Sequence, residues 1–474
     1  MALIDQERLH RALNPRTLAV VGDKGPQYNW LTNQKDFTGE LYSVQLDENE
    51  IPGIEEKGIT NYKSLKDIPG DIDLVICAVP RQVAPYVVAD AIEKGVGGIS
   101  MFTSGFAETK EPQGIELQEK LVQMCTDAGM PLVGPNCMGV YDRHLAVKFG
   151  NGLEHGDGGD ISVISQSGTH GIGITNGAQS AGVKVRRTIS IGNSIILNES
   201  DYLEYLMNDP ETPAIAMYLE GTKDGRRFFN ILRQATKKKP VIVWKGGRST
   251  AGARAVNSHT GSLASSQAIW DAMLKQTGAI AVASIEEAVD AIAGLVHTKQ
   301  PTGRNIALIA MTGGQSVAIT DQFESYGFNI PELSDASYAR FAEFFTVIGG
   351  SYRNPFDAAS TIRSEAENLQ KILEILADES VIDAGVALEF RSRGFEKPGD
   401  LDEILDLLDD YRNKTDHPVI LLMPTHGVLS GNTEEAAQVK DRVVARGFAV
   451  YPSFQRGAQA LGRIVDYHTV GAEA

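Results

Sequence analysis

Short runs of β-branched and aliphatic residues alternate with helical patterns along almost the whole chain of 474 residues. Such alternation is typical of βαβ units that build a parallel sheet. In the first third, the predicted strands are TLAVVG, LYSVQL, DLVICAVP, GGISMF and PLVG. A helix is predicted over 81–94, where apolar residues recur at helical spacing. This third therefore predicts one doubly wound domain that ends near residue 150.

A Gly- and Asp-rich hinge, NGLEHGDGGD, leads into a second series with the strands ISVIS, RRTISIG, AIAMYLE and PVIVWK. Helices are predicted after these strands at about 169–181, 200–208 and 225–237. A linker over 298–305 contains Pro and Gly, and a third series then contains IALIAM, AGVALEF, PVILLM and FAVYP. The sequence therefore predicts an α/β fold of three tandem Rossmann-like or flavodoxin-like domains with mainly parallel sheets, over 1–150, 151–300 and 301–474.

Composition narrows the class of protein. Hydrophobic residues make up 42% and charged residues 22%, and the net charge of -17 disfavours binding to nucleic acid or anionic membrane. Cys77, Cys125 and Cys137 form neither a CxxC pair nor a disulfide framework, which fits a reducing compartment. The N-terminus is too charged for a signal peptide, and no apolar run approaches membrane length. We therefore expect a cytoplasmic protein with no nucleic-acid or membrane partner.

Two βα turns have the composition of a phosphate-binding site. The first is Ser165-Gln166-Ser167-Gly168-Thr169, and the second is Thr312-Gly313-Gly314-Gln315-Ser316. Small residues let backbone N–H groups approach an anion, and the dipole of the following helix favours negative charge. The alternative for each is an ordinary βα turn capped by a serine or threonine. Neither is a P-loop, because the GxxxxGK[ST] pattern is missing.

His259 lies in a run of small residues, KGGRSTAGARAVNSHTGSLASS, that has little secondary-structure signal until its far end. An imidazole is a good nucleophile toward phosphorus at neutral pH, and nearby glycines make a loop easy to bend. The alternative from spacing alone is an ordinary surface histidine. No metal site is predicted, because no second His or Cys stands at ligand spacing nearby.

Glu220 follows the strand AIAMY, within YLEGTKDGR. A carboxylate at the carboxyl end of a strand can hold one nitrogen of a histidine and set its tautomer. The alternative is that Thr222 or Asp224 caps the next helix and that Glu220 is solvated.

Taken together, these segments resemble the ADP-forming acyl-CoA synthetases, relatives of succinyl-CoA synthetase, and the match is to the alpha-subunit type. It is most specific in SQSG, DYLEYLMNDPET, YLEGTKDGRRF, KPVIVWKGGRSTAGARAVNSHTGSLA and IEEAVDAIAGLV. The segments AVP, TSGF and GPNCMG, and later MTGGQSVAITD and NPFD, extend it along nearly the whole chain. The resemblance implies a CoA-binding first domain, a middle domain with a phosphohistidine loop and a ligase-type third domain.

The resemblance also implies roles for single residues. His259 would be phosphorylated during turnover, and Glu220 would orient it. The first phosphate-binding helix start corresponds to Ser165, Gln166, Ser167 and Gly168, and the second to Gly313, Gly314 and Gln315. The CoA-binding cleft corresponds to Gly22, Pro80, Ser104, Gly105, Asn136 and Cys137.

The implied reaction is acyl-CoA + ADP + phosphate ⇌ acid + ATP + CoA, through an acyl phosphate and a phosphohistidine. No segment resembles an ATP-grasp domain, so we expect a separate ATP-grasp beta subunit, in a heteromer such as α2β2. That subunit would bind most of the ATP or ADP and its Mg²⁺. The acid is expected to be a small carboxylic acid, and candidates for shaping its pocket are Tyr218, Asn193 and the segment 346–357.

Three positions depart from the family pattern. The turn VVGDKGPQYNW places Asp23 where the CoA phosphates are expected to pass, and the family's Asn-Pro is replaced around Gln45 and Leu46. His170 lies in the first phosphate turn, either near the acyl group or phosphate or simply on a helix face. Two alternative functions therefore stay open: a related acyl- or carbamoyl-phosphate enzyme that does not use CoA, and a non-catalytic CoA-binding or regulatory homologue.

Overall fold

The computed structural model of the chain describes residues 5–150, 152–259, 266–362, 367–391, 399–424 and 433–470. Within these ranges, helices and strands alternate. The strands are β1 (Thr17–Val21), β2 (Glu40–Val44), β3 (Thr60–Tyr62), β4 (Leu74–Cys77), β5 (Gly98–Met101), β6 (Leu132–Val133), β7 (Gly139–Asp142), β8 (Ile161–Ser165), β9 (Val185–Ser190), β10 (Ile215–Leu219), β11 (Val241–Lys245), β12 (Ile280–Val282), β13 (Ile306–Ala310), β14 (Phe356–Asp357), β15 (Gly385–Glu389), β16 (Val419–Leu422) and β17 (Ala449–Tyr451).

The helices fill most of the connections between these strands. They are α1 (Gln6–Leu13), α2 (Asn29–Asn33), α3 (Ile51–Glu55), α4 (Ala84–Lys94), α5 (Pro112–Asp127), α6 (Gly168–Ser180), α7 (Glu199–Asn208), α8 (Gly225–Lys238), α9 (Thr250–His259), α10 (Gln267–Thr277), α11 (Ile285–His297), α12 (Gly313–Ser325), α13 (Asp335–Ala342), α14 (Ala359–Ile362), α15 (Glu367–Ala377), α16 (Asp400–Lys414), α17 (Thr433–Ala445) and α18 (Phe454–Val470). Among the described residues, none of these helices is both long enough and apolar enough to cross a membrane.

The strands form three sheets with the orders β3-β2-β1-β4-β5-β6, β12-β11-β10-β8-β9-β7 and β14-β13-β15-β16-β17. Neighbouring strands run parallel, except that β7 pairs antiparallel with β9 at one edge of the second sheet. Central strands such as β8, β10 and β13 are buried along their whole length, which explains their uninterrupted apolar sequences. The predicted α/β class with three mainly parallel sheets is confirmed.

The chain divides into two compact units. The first contains Met1–Gln179 and Lys184–Ile285 and carries the first two sheets, and the second contains Ser180–Val183 and Glu286–Ala474 and carries the third sheet. β7 precedes residue 150 and nevertheless pairs within the second sheet. The domain boundaries near residues 150 and 300 stay predictions.

The run before His259 differs from its predicted lack of regular structure, because Thr250–His259 is helix α9. Three alanines, at 251, 253 and 255, lie among its small residues, and alanine is the strongest helix former. At the start of the helix, the Ser249 hydroxyl accepts a hydrogen bond from the Gly252 N–H at 3.0 Å. The glycine and serine content of the segment concealed this helical propensity.

A buried ionic group holds the edge strand of the second sheet. Asp142, at the end of β7, is fully buried and lies 2.5 Å from Arg186 and 2.9 Å from Arg187, both on β9. Arg187 also donates to the Asn14 side chain at 2.8 Å, just after α1. One fully buried carboxylate thus pairs with two buried guanidinium groups from another strand, each of which also pairs with a second carboxylate nearer the surface.

We expect Asp142→Asn to lower the free energy of unfolding by about 3 kcal/mol, because it removes the fully buried counter-charge that two buried guanidinium groups share. Urea denaturation followed by circular dichroism measures this change. Glu93→Gln, which removes one partner of the exposed Lys66–Glu93 pair, is the control and should leave the midpoint unchanged. Equal midpoints for Asp142→Asn and wild type would contradict a structural role for the group.

Candidate functional site

The first predicted phosphate turn joins β8 to α6. The Ser165 hydroxyl donates to the Ser167 carbonyl at 2.6 Å, and the Ser167 N–H donates back to that hydroxyl at 3.3 Å. The helix begins at Gly168, as the phosphate-turn hypothesis requires. Because the Ser165 side chain is fully buried and closes the turn, an anion would meet backbone N–H groups rather than this hydroxyl.

Gln166 links this turn to the one that follows β10. Its side-chain N–H donates to the Gly221 carbonyl at 3.0 Å. Its side-chain oxygen accepts from the Gly221 N–H at 3.1 Å and also from the Glu220 N–H. Its amide group thus fixes the backbone of the predicted catalytic carboxylate, and the predicted contact between Gln166 and phosphate stays a prediction.

Glu220 is buried, with 7% of its surface exposed, and its Oε1 accepts a hydrogen bond from the Tyr218 hydroxyl at 3.2 Å. Asp224 caps α8 by accepting from the Arg226 and Arg227 N–H groups at 3.1 and 3.0 Å. The alternative to a site role is therefore correct about the Asp224 cap and wrong about solvation of Glu220. The sequence could not specify that Glu220 is buried beside the turn between β8 and α6.

Tyr218, which binds Glu220, packs against two further aromatic rings that also contact each other. His170 lies 4.4 Å from Tyr218 and 4.6 Å from Trp244, and Tyr218 lies 4.6 Å from Trp244, measured between ring centroids. Tyr218 and Trp244 are register partners on β10 and β11, so their side chains share one face of the sheet. His170 therefore does not lie on a free helix face. Trp244 was missed by sequence reasoning, although it ends a predicted strand next to that of Tyr218.

Electrostatic effects connect these groups to Glu220. Burial lowers the pKa of His170, and the negative charge of Glu220 opposes that shift. Burial also lowers the pKa of Lys245, again opposed by Glu220. Burial and the charge of Glu220 together raise the pKa of Tyr218, so its phenol is protonated and donates at neutral pH.

His259 is the last residue of α9. Its side chain, and the motif residues Thr260 and Gly261 that follow it, lie outside the described residues. The predicted contact between His259 and Glu220 therefore stays a prediction.

The second predicted phosphate turn, in the other unit, joins β13 to α12. The Thr312 hydroxyl accepts from the Gln315 N–H at 3.2 Å, which is the capping arrangement of an ordinary βα turn. Gly313 and Gly314 are exposed at the start of the helix. A Cβ atom on Gly313 would lie 3.1 Å from the Asp357 carboxylate, and Glu389 accepts from the Met311 N–H at 2.7 Å. Two carboxylates thus flank this turn. Asp357 lies in the segment 346–357 that was predicted to shape the acid pocket, whereas Glu389 was missed by sequence reasoning.

The predicted CoA-binding residues follow four strands of the first sheet. Gly22 comes after β1, Pro80 after β4, Ser104 and Gly105 after β5, and Asn136 after β6. The carboxyl ends of parallel strands meet at one edge, where ligands of open α/β sheets bind. Gly22 has a φ of +85°, and a Cβ there would lie 2.5 Å from the Val79 side chain, so the turn needs glycine.

Cys137 differs from the other residues of this group. Its thiol is buried and donates to the Met101 carbonyl at 3.4 Å. Burial raises the pKa of Cys137 to about 12, so the sulfur is a neutral core group. Sequence reasoning also missed Glu108, which accepts from the Gly105 N–H and from the Asn193 side chain, both at 2.6 Å.

Asp23 points inward rather than across the predicted CoA path. It is buried and accepts from the Leu31 N–H at 2.8 Å and the Lys24 N–H at 3.1 Å. Burial raises the pKa of Asp23, and the hydrogen bond from Leu31 opposes this. Glu50 accepts from the Gly25 N–H at 2.8 Å. Carboxylates of the chain itself thus occupy N–H groups that a phosphate of CoA would otherwise use.

Around Gln45, a side chain again accepts hydrogen bonds from backbone N–H groups of the turn. Its side-chain oxygen accepts from the Leu46 and Asp47 N–H groups at 2.9 and 3.0 Å. The predicted CoA-binding residues after β4, β5 and β6 lie at the carboxyl edge of the sheet, and their contact with CoA stays a prediction. N–H groups in the turns after β1 and β2 already donate to side chains of the chain itself. In the ranges that the structure describes, no group of three or more His, Cys, Asp or Glu side chains could hold a metal ion.

Two known families match the chain. The family described as a CoA binding domain matches residues 16–143. The family described as a succinyl-CoA ligase like flavodoxin domain matches residues 158–295. The second match includes Gln166, Glu220 and the helix that ends at His259.

Full-length relatives agree with these matches. The acetate–CoA ligase [ADP-forming] II subunit alpha of Pyrococcus furiosus is 34% identical over 382 residues, which are 79% of this chain and 81% of that protein. The I subunit alpha of the same organism is 30% identical over 466 residues, 96% of this chain and 97% of that protein. A structure of the dinucleotide forming acetyl-coenzyme A synthetase 1 of Ca. Korarchaeum cryptofilum, in complex with phosphate and ADP, is also similar. It has a TM-score of 0.84 and 27% identity over 99% of this chain and 98% of that chain.

The chain is 34% and 30% identical to these two alpha subunits, over 81% and 97% of their lengths. It therefore belongs to the ADP-forming acyl-CoA synthetase family and is of the alpha-subunit type.

Proposed function

We propose that the chain is the alpha subunit of an ADP-forming acyl-CoA synthetase that interconverts acyl-CoA, ADP and phosphate with an acid, ATP and CoA. The observation that carries the proposal is the buried Glu220, joined through Gln166 to a phosphate-type helix start. Belonging to the family is consistent with this chemistry, and the relatives are named as acetate–CoA ligases.

The proposed reaction has three steps. Phosphate attacks the thioester carbonyl, the C–S bond breaks, and CoA leaves as its thiol while an acyl phosphate forms. The imidazole of His259 then attacks phosphorus, and the acid leaves as a carboxylate. ADP finally takes the phosphoryl group from His259, which restores the imidazole and forms ATP.

Specific residues of the chain supply the proposed stabilisation. The N–H groups at the start of α6, near Ser167 and Gly168, bind the phosphoryl oxygens with the help of the helix dipole. The Glu220 carboxylate accepts a hydrogen bond from one imidazole N–H of His259, which leaves the other ring nitrogen to attack phosphorus. Gly313, Gly314 and Gln315 form the second predicted phosphate turn, in the other unit.

The proposal includes a partner. Two relatives are named as alpha subunits, a name that implies a second subunit in those proteins. We propose that an ATP-grasp beta subunit binds most of the ATP or ADP and its Mg²⁺, in a heteromer such as α2β2. The acid is a small carboxylic acid, and acetate is the acid in the names of these relatives.

One observation favours a second candidate function, an acyl- or carbamoyl-phosphate enzyme that does not use CoA. Asp23 and Glu50 occupy the N–H groups of the first turn. Such an enzyme would keep His259 and Glu220 and would not need a phosphate-binding turn after β1.

We expect the protein, mixed with an ATP-grasp subunit and γ-³²P-labelled ATP with Mg²⁺, to gain an acid-labile, base-stable label. His259→Ala should abolish the label, because no other side chain would accept the phosphoryl group. His144→Ala removes an exposed histidine and is the control, with labelling equal to wild type. An unlabelled wild type, or equal labelling of His259→Ala, would contradict the proposal.

Titration calorimetry of the chain with CoA separates the two candidates. Under the leading proposal we expect saturable binding that Ser104→Asp weakens about 10-fold, because it adds negative charge at the exposed edge. Ser325→Asp makes the same charge change at an exposed residue of the other unit and should have no effect. Absence of CoA binding in a chain that still labels His259 would favour the enzyme that does not use CoA.

A further inference from the structure

We propose that Tyr218 is a positioning residue: its hydroxyl holds the Glu220 carboxylate in the orientation needed to engage the phosphoryl-accepting histidine. This inference rests on the proposed function and extends it to a residue for which the sequence suggested only a part in the acid pocket. The contacts that carry the inference are those of Tyr218, Glu220 and Gln166 with their neighbours, all described residues of one compact unit. The side chain of the histidine itself lies outside the described residues.

The backbone and the side chain of Glu220 are fixed by different neighbours. Gln166 binds the Glu220 and Gly221 N–H groups and the Gly221 carbonyl, so the peptide backbone cannot rotate freely. These bonds do not constrain the carboxylate, which is three bonds farther out. The hydroxyl of Tyr218 donates to its Oε1 at 3.2 Å. At 3.2 Å this bond is longer than most O–H···O bonds, and it is the contact that favours one rotamer of the carboxylate over others.

The Tyr218 ring is itself held on two sides. His170 and Trp244 lie 4.4 and 4.6 Å from it, between centroids, at tilted or edge-to-face angles. These geometries are favourable for aromatic pairs. With 6% of its surface exposed, Tyr218 cannot swing out to bind water instead of Glu220.

Gly246 leaves the room that the hydroxyl occupies. A Cβ atom at this position would lie 2.5 Å from the Tyr218 hydroxyl oxygen and 2.9 Å from the ring carbon that bears it. Gly246 follows β11, whose residue Trp244 is the register partner of Tyr218. At the end of this strand, Trp244 therefore packs against the Tyr218 ring, and Gly246 leaves space for the Tyr218 hydroxyl.

A buried lysine also acts electrostatically on the Glu220 carboxylate. Lys245 is buried and interacts electrostatically with Glu220, while its ammonium group donates to the Gly246 carbonyl and lies 5.4 Å from the Trp270 ring centroid. Its side chain starts on the opposite face of the sheet from Tyr218, because it adjoins Trp244 in the strand. Lys245 therefore contributes positive charge near Glu220, whereas the hydrogen bond from Tyr218 orients the Glu220 carboxylate.

The test is the rate at which the protein, with an ATP-grasp subunit and γ-³²P-labelled ATP with Mg²⁺, gains label on His259 in a rapid-quench experiment. Tyr218→Phe keeps the ring between His170 and Trp244 and removes only the hydroxyl. We expect the labelling rate to fall about 10-fold, the size expected for one hydrogen bond to a charged group. Tyr141→Phe, which removes a buried hydroxyl bonded to the Glu154 carbonyl in the same sheet, should label like wild type.

A double-mutant cycle distinguishes positioning from a general structural effect. We expect Glu220→Gln to slow labelling, and Tyr218→Phe to have less than about a twofold further effect in that background, because its role acts through the carboxylate. The thermal midpoint of Tyr218→Phe should match that of Tyr141→Phe. An unlabelled wild type would overturn the proposed function itself. A labelled wild type with unchanged labelling in Tyr218→Phe, or with the full 10-fold effect persisting in Glu220→Gln, would overturn this inference alone.

Discussion

The parallel pairing of β8, β10 and β11 is the constraint on which the first unit's candidate site depends. Ser165, Tyr218 and Trp244 are register partners across these three strands, so they form one row near the carboxyl edge. The turns that follow β8 and β10 are therefore adjacent, although more than fifty residues separate them in sequence. Gln166 then needs only its own side chain to join the first turn to the second. A one-residue slip in either pairing would turn this row to the other face and separate the carboxylate from the phosphate-type turn.

At the carboxyl edge of the first sheet, acidic side chains of the chain bind its own backbone. Asp23, Glu50 and Glu108 lie beside predicted ligand-binding turns, yet each accepts hydrogen bonds from backbone N–H groups there. Such bonds satisfy donors that would otherwise be unpaired at the end of a strand or at the start of a helix. They also compete with an external anion for those donors. The number of backbone N–H groups left to bind a ligand therefore depends on how many already donate to a carboxylate of the chain in each turn.

Much of the fold was predictable because buried parallel strands need apolar side chains on both faces. The strands predicted from such runs, among them β1, β4, β8, β10 and β13, occur where they were expected. Short or edge strands such as β7, β12 and β14 were not predicted, because two to four residues carry no readable period. Helix α9 was missed because its alanines are interspersed with glycine and serine, residues that local patterns associate with turns.

The sequence by itself determined the α/β class, the positions of the two βα turns that are predicted to bind phosphate, and the family-specific segments around Glu220 and His259. Each of these depends on residue type and short-range spacing, which are local properties of the chain. Only the tertiary structure decided which groups those turns actually contact. It showed that Gln166 holds the Glu220 backbone, that Asp23 faces inward, and that His170 packs against Tyr218 and Trp244. The contacts of Gln166 and His170 depend on the register of strands distant in sequence, and no local pattern specifies the face on which such side chains meet. The position of Asp23 depends on the path of the turn that brings the Leu31 N–H to it.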